Sequence, residues 1–323
     1  MRAVVQQGYG GTETWSVHDV PDPSPGNGEV LVEVRAAAID RGTWHLMIGE
    51  PLLMRPFLGL RGLRQPVPGR DVAGVVVGVG PGVAGFAPGD EVYGSAPSGS
   101  LAERAVVSVK RLAHRPQTLT FEQSAAVPIS GMTAIQAVRA GGVRAGQRVM
   151  VIGASGGVGT YLAQLAMSLG AEVTGVCSTS KIDLLSDLGV QRIVDYTRQD
   201  PTDLVGERFD VVLDIGGNRP LRDVRRLLTP AGTLVLIGGD EGGRVLGGLD
   251  RQLRAAALSL VSRQKLRGLV AAEKAADLEE LARLADQGAY RPVVDRVFPL
   301  ADAAKAMDHL AEGHARGKLV VVP

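Results

Sequence analysis

The run Val149-Met150-Val151-Ile152-Gly153-Ala154-Ser155-Gly156-Gly157-Val158-Gly159-Thr160 constrains this chain more than any other stretch. An apolar strand enters a glycine-dense turn. The turn opens into Tyr161–Leu169, an apolar segment with no Pro or Gly inside it. Strand, turn and helix in this order hold a dinucleotide pyrophosphate. Small residues let the backbone approach the phosphates, and the first-turn N–H groups of the helix point at the anion. The spacing departs from G-x-G-x-x-G, because Ala154, Gly156 and Gly159 take the three positions. Gly153 and Gly157 add room, and Ser155 and Val158 complete the cofactor-binding turn. The plainer alternative is a tight strand–helix turn in another kind of α/β protein.

The pattern around this motif predicts two domains within 323 residues. Residues 1–120 read as β-rich, with strands at Ala3–Gln6, Glu29–Ala37, Val72–Val79, Glu91–Tyr93 and Ala102–Val109. Pro-Gly punctuation separates them. From Phe121 onward, helical and strand patterns alternate, which calls for a parallel sheet covered on both faces. The predicted division is 1–122, completed by 273–323, and a cofactor domain at 123–272. Segment 51–65 is apolar but broken by Pro and Gly. It reads equally as a loop over a substrate cleft and as a buried connector.

Several classes are disfavoured. The net charge is +1 with no long block of one sign, and aromatics make up 4%. Nucleic acid is therefore not an expected partner. The only cysteine is Cys177, so the chain can form no internal disulfide and no Cys-rich zinc lobe. No stretch reaches 18 uninterrupted apolar residues, and Met1–Gln6 reads as a strand. The expectation is a soluble cytoplasmic protein without membrane contact.

The nucleotide itself is read from the end of the second cofactor-domain strand. An acidic residue there would hold a ribose 2′-hydroxyl. This chain has Cys177-Ser178-Thr179-Ser180-Lys181 instead. Hydroxyls beside a lysine suit a 2′-phosphate, so NADPH is expected over NADH. Ser178 and Lys181 are the named contacts, with Tyr196 adding a hydroxyl from the third strand end. The alternative for Lys181 is a solvated residue in the first turn of a helix. Gly216-Gly217 and Gly238-Gly239 end the fourth and fifth strands, where ligands sit in such sheets.

Further motifs carry a resemblance. They are Pro68-Gly69-Arg70-Asp71-Val72-Ala73-Gly74, Pro88-Gly89-Asp90-Glu91-Val92, Ala125-Ala126-Val127-Pro128-Ile129-Ser130-Gly131-Met132-Thr133-Ala134, Val194-Asp195-Tyr196 and Gly313-His314-Ala315-Arg316-Gly317-Lys318. With the glycine turn, they resemble the medium-chain dehydrogenase/reductase superfamily. The match is to its zinc-independent quinone oxidoreductase-like branch, including the reticulon-interacting oxidoreductases and bacterial relatives. The resemblance implies a GroES-like β-rich catalytic domain plus a Rossmann doubly wound parallel-sheet cofactor domain, with the active site in the cleft between them. It also implies that Thr133 lines the nicotinamide half.

Zinc-dependent members carry a Cys at the position of Asp40, a His at Arg70 and a further Cys near Ile129. A catalytic zinc needs three donor side chains. Ile129 has none, and Arg70 is a permanent cation. No metal is expected, and an Asp40–Arg70 ion pair is a simpler reading than a new metal site from Asp40, His45 and Asp71. The resemblance assigns residues 39–45 to the substrate-facing loop. Asp40, Thr43, Trp44 and His45 are the catalytic candidates there, although Asp40 stands where quinone reductases usually carry Asn. Packing in the β-rich domain is an equal alternative for Trp44 and His45. Arg316 and Lys318 are weaker candidates for nucleotide contacts, with solvated side chains as the alternative.

The implied activity is hydride transfer from NADPH to a quinone or an α,β-unsaturated carbonyl compound. The alternatives are a zinc-free alcohol or carbonyl dehydrogenase, and a non-catalytic NADPH-binding sensor or scaffold. A homodimer through the edge strand at Leu266–Ala271 is also expected.

Overall fold

The computed structural model describes residues 1–60, 63–204, 206–238 and 243–323. The chain begins with β1 (Arg2–Gln6), β2 (Trp15–Asp19), β3 (Glu29–Ile39), α1 (Arg41–Ile48), α2 (Arg55–Leu58), β4 (Asp71–Val79) and β5 (Glu91–Ser95). It continues through β6 (Arg104–Ser108), β7 (Leu112–His114), α3 (Phe121–Ala125) and α4 (Pro128–Gly141). Next come β8 (Arg148–Ile152), α5 (Gly157–Ser168), β9 (Glu172–Cys177), α6 (Ile182–Asp187), β10 (Arg192–Asp195) and β11 (Phe209–Asp214). Then follow α7 (Leu221–Arg226), β12 (Leu228–Leu236), α8 (Leu249–Leu260) and β13 (Lys265–Gly268). The last elements are α9 (Ala275–Asp286), β14 (Val294–Pro299), α10 (Ala303–Ala311) and β15 (Lys318–Val322). They divide into two compact units, Met1–Met132 with Glu273–Pro323, and Thr133–Ala272.

The Thr133–Ala272 unit is an α/β layer structure. Its sheet runs β10-β9-β8-β11-β12-β13, every neighbouring pair parallel. Counted within the unit, that order is 3-2-1-4-5-6, the doubly wound Rossmann arrangement. The central strands are near-continuous apolar runs because both faces are covered. Met150, Ile152, Val212, Leu234 and Leu236 are buried in one cluster with Phe209, Val224 and Leu266. The order reverses between β8 and β11, so the turn after β8 opens at the switch point.

The other unit is β-rich. A seven-stranded sheet has the order β14-β15-β3-β4-β5-β7, with β6 also pairing β3, and β1–β2 form a separate antiparallel ribbon. Val30, Val32 and Val34 alternate inward along β3 and pack with Val72, Val76, Val92, Leu319 and Val321. Register fixes the chemistry at one end of this sheet. Ala38 lies opposite Asp71, while Ile39 lies opposite Leu319. Asp40 just past β3, Asp71 at the head of β4 and Lys318 at the head of β15 are thereby brought together.

The substrate-facing loop expected at 39–45 is a helix from Arg41 onward. Asp40 caps it: its Oδ1 accepts the Thr43 N–H at 2.8 Å. Gly49, at φ +66°, ends it in the left-handed conformation. β2 was not expected, since four of its five residues are exposed and the apolar alternation is missing. β12 starts earlier than its apolar run, because Thr229-Pro230-Ala231-Gly232 forms an irregularity inside the strand. Among the described residues, no helix is long and apolar enough to cross a membrane.

Candidate functional site

In the Thr133–Ala272 unit, the turn after β8 is held by its own backbone. Gly153 N–H and Ala154 N–H both donate to Val176 O, at 3.2 and 3.0 Å. Gly153 has φ +85°, and a Cβ on Gly159 would lie 2.0 Å from Gly153 O. Only glycine permits that approach of helix to strand. Gly156 is the N-cap of α5, and no side chain caps the helix. A Cβ there would meet only Gly153 O, at 3.5 Å. The first-turn amides around Gly157 and Val158 therefore lack intrahelical partners beside open space, which fits a pyrophosphate. Ala154 and Ser155 are buried beneath the turn.

The adjacent strand end carries the hydroxyl cluster. Ser178 Oγ lies 3.3 Å from Ser180 Oγ, and Lys181 ends the short 3-10 turn that leads into α6. Tyr196 N–H donates to Cys177 O at 3.0 Å, which ties the backbone of the half-exposed Tyr196 to this strand end, while its ring faces the Arg219 guanidinium at 6.0 Å. Asp195 is the nearest carboxylate on β10. Its oxygens are engaged by Thr179, Thr197 and Arg198. The Thr179 hydroxyl leads the contacts that hold its carboxyl below the usual range. Cys177 is buried, and burial pushes its thiol up to about 11, so it stays protonated and unreactive.

At the carboxyl end of β11, Gly217 N–H donates to Asp214 Oδ1 at 3.0 Å, with Gly217 at φ +66°. Asp214 Oδ2 accepts from Arg251 at 2.7 Å. This buried pair pins the Gly216-Gly217 turn to α8. It was not visible in the sequence, where Asp214 merely ends an apolar strand. Gly238 follows β12, where a Cβ would lie 2.3 Å from Ile215 O, while Gly239 lies outside the described residues. Thr133 lies on α4, half-buried.

In the β-rich unit, the expected Asp40–Arg70 pair does not form. Arg70 pairs with Glu273, whose other oxygen accepts from Ser95 Oγ at 2.8 Å and lies 3.6 Å from Arg111. Lys318, read as a weaker nucleotide contact or a solvated side chain, is instead enclosed, with its side chain 1% exposed against Asp71 at 0%. Its Nζ is 2.7 Å from Asp71 Oδ2 and 3.7 Å from Asp40 Oδ2. Asp71 Oδ1 accepts the Ile129 N–H at 2.7 Å. Burial pushes the Asp71 carboxyl up to about 6 against the opposing pull of the ammonium. Burial alone would lower Lys318, but Asp71 and Asp40 outweigh it and hold it above its ordinary value. The sequence signal was a lone charge heading an otherwise buried strand, at both Asp71 and Lys318.

Thr43 extends this cluster, with Oγ1 donating to Asp40 Oδ1 at 3.1 Å. Thr43 also lines a cavity of about 260 Å³. Trp44 instead packs half-buried against the apolar core, beneath the Arg41 guanidinium. His45 stacks edge-on against Trp44 at 5.0 Å.

Comparison with known proteins fits this geometry. Residues 26–117 match the alcohol dehydrogenase GroES-like domain, and residues 188–321 match the zinc-binding dehydrogenase model. The chloroplastic quinone-oxidoreductase QR1 of Triphysaria versicolor is 34% identical over 337 residues, spanning 100% of this chain and 98% of the relative. The chain belongs to the medium-chain dehydrogenase/reductase superfamily.

Within that superfamily of oxidoreductases, its resemblance runs to the quinone oxidoreductase-like branch. The mitochondrial NAD(P)H oxidoreductase RTN4IP1 of Mus musculus is 33% identical, over 91% of this chain and 81% of the relative. The quinone oxidoreductase structure from Coxiella burnetii superposes with a TM-score of 0.86 at 25% identity, covering 100% of this chain and 99% of that one. The superfamily's two folds, GroES-like and Rossmann, are the two units described above.

Proposed function

We propose that the protein is an NADPH-dependent, zinc-independent oxidoreductase that transfers hydride to a quinone or an α,β-unsaturated carbonyl compound. The observation that carries the reading is the buried Lys318 ammonium seated on Asp71 and reaching Asp40. A catalytic zinc needs three converging donors. Here a lysine ammonium already lies against both carboxylates, and Ile129 contributes a backbone N–H rather than a ligand atom. The donor set does not fit the metal, and no step is routed through one. Without a Lewis acid, acceptors that delocalise the new charge are favoured, as enones and quinones do. The names of the Triphysaria and mouse relatives point the same way.

For the nucleotide, the turn at Ala154, Ser155, Gly156, Gly157, Val158 and Gly159 would receive the pyrophosphate. Ser178 and Lys181 would hold the 2′-phosphate, with Tyr196 beside them. Thr133, Gly216, Gly217, Gly238 and Gly239 would flank the remainder. The bound dihydronicotinamide would supply the hydride. Arg198, 3.5 Å from Asp195, offsets the charge of that ionised carboxylate, which favours NADPH. Of the four substrate-side candidates, Thr43 is the one with a cavity-facing position, while Asp40 acts by orienting it.

A homodimer belongs to the same reading. β13 is an edge strand, and Leu253, Leu260 and Val261 beside it are exposed. Light scattering that returns a monomer's mass would remove it. A cytoplasmic location rests on the sequence pattern, and the organelles in the relatives' names are theirs.

The deciding experiment is NADPH and NADH oxidation by chelator-treated protein against a panel of quinones and enones. Turnover that prefers NADPH and is unchanged by chelator is the expected result. NADPH binding without any turnover would overturn the reading in favour of a sensor or scaffold.

A further inference from the structure

The cavity in the β-rich unit is walled by Thr43, Leu46 and Met47 of α1, Phe57 and Leu58 of α2, and Arg70. It is apolar, so any polar group on its wall has a large electrostatic effect. Most such groups are already engaged. Gln6 lines the cavity, but its amide donates to Gly8 O and Met47 O and accepts from Trp15 Nε1. The Thr43 hydroxyl donates to Asp40, and Gln65 donates to Ser98 O. Arg64 is exposed. Arg70 differs from all of these. Glu273 holds one Nη, and among the described residues the guanidinium has no second partner. Four of its five N–H donors remain, in a rigid fork. Its side chain is 32% exposed and opens on the cavity. The backbone beneath it is fixed, since Arg70 O accepts Ala96 N–H at 2.7 Å.

We infer that Arg70 is the oxyanion-stabilising residue of the reaction: the acceptor's carbonyl oxygen lies against its free N–H groups, with the acceptor's apolar body between α1 and α2. The inference rests on the function proposed above for the identity of the acceptor. In that reaction a hydride brings two electrons to the acceptor, and the carbonyl oxygen takes the charge as an enolate or a hydroquinone monoanion. Arg70 donates hydrogen bonds to that oxygen, and a solvent proton completes the product. Glu273 sets the strength of the site. It neutralises the guanidinium in the empty cavity and keeps the fork in place while charge develops on the acceptor, so preorganised donors need no rearrangement.

The test uses 4-nitrophenol as an unreactive mimic of the reduced acceptor, with the full-length protein and no nucleotide. Its absorbance reports whether the bound oxygen is ionised. Bound to the wild type, the phenol should ionise at a pH about one unit below the free probe, a tenfold preference for the anion. Arg70→Gln should abolish the shift. Glu273→Gln, which frees the guanidinium, should enlarge it, so the two substitutions move the titration in opposite directions. Leu58→Arg, which narrows the cavity, should abolish binding. A bound phenol that titrates like the free one, an unaltered shift in Arg70→Gln, or no binding to the wild type would each overturn the assignment. Failure of the quinone and enone panel alongside an intact shift would sink the proposed function and leave the Arg70 anion site standing.

Discussion

Lys318 Nζ and Asp71 Oδ2 lie 2.7 Å apart, separated by 247 residues of sequence and both sealed from solvent. A pair of this kind costs desolvation on both sides, and its attraction roughly offsets that cost. Its importance lies in what happens when one partner is removed.

Lys318→Met leaves Asp71 and Asp40 without their cation. It should destabilise the protein by about 3–5 kcal/mol in urea unfolding, the range for breaking a buried pair. Adding Asp71→Leu should recover much of that loss, because an apolar pair carries no desolvation cost. A double variant as unstable as the single one would show that the pair is not the source of the effect.

The Asp71 carboxyl also makes stability depend on pH. Its folded-state pKa of about 6 lies above the ordinary carboxylate value, with burial as the main cause. Below about pH 4 both folded and unfolded chains hold this proton. Between about pH 4 and 6 the unfolded chain releases it first, so this contribution to stability is lost as pH rises through that window. The wild type should lose on the order of 1–3 kcal/mol there relative to Asp71→Asn. Denaturant unfolding at several pH values measures this, and parallel profiles for the two proteins would contradict it.

Lys181→Ala should weaken NADPH binding by about tenfold or more and leave NADH nearly unchanged, since one charge-assisted contact to the 2′-phosphate is lost. Titration calorimetry with both nucleotides decides. Equal losses would take Lys181 out of the 2′-phosphate site.

Gly159→Ala places a methyl group 2.0 Å from Gly153 O, nearer than any real contact. The turn must open to admit it. Binding of both nucleotides should fall together, and the melting temperature should drop. Tight binding in this variant would mean that the turn after β8 does not receive the pyrophosphate.

The cofactor unit was largely legible in the sequence because its signals are local. The central strands β8, β11 and β12 carry short apolar runs with glycine close behind them, and the turn after β8 announces itself by composition. The β-rich unit was legible where alternation is clean, as along β3, and not where the strand is exposed, as in β2. Its polar cluster was misread for a physical reason. Asp40 and Arg70 looked complementary, but pairing depends on sheet register, which sets Lys318 against Asp40 and leaves Arg70 to Glu273. The helical N-cap in Asp40-Arg41-Gly42-Thr43 was a local signal that went unread. Nothing local marks Glu273 as the partner of Arg70, because 203 residues separate them.

The split of the β-rich unit around residues 133–272 also bears on the order of folding. The Rossmann unit is one continuous segment and can close its sheet with nearby pairings. Its host must join Asp71 to Lys318 and Arg70 to Glu273 across the whole insertion, and contacts of such separation form slowly. During synthesis the inserted unit is free to finish while its host still exposes two unneutralised carboxylates at an open sheet edge. Any attempt to move the β-rich half into another protein must therefore carry both of its pieces, since the first piece alone lacks the strand and the lysine that close it.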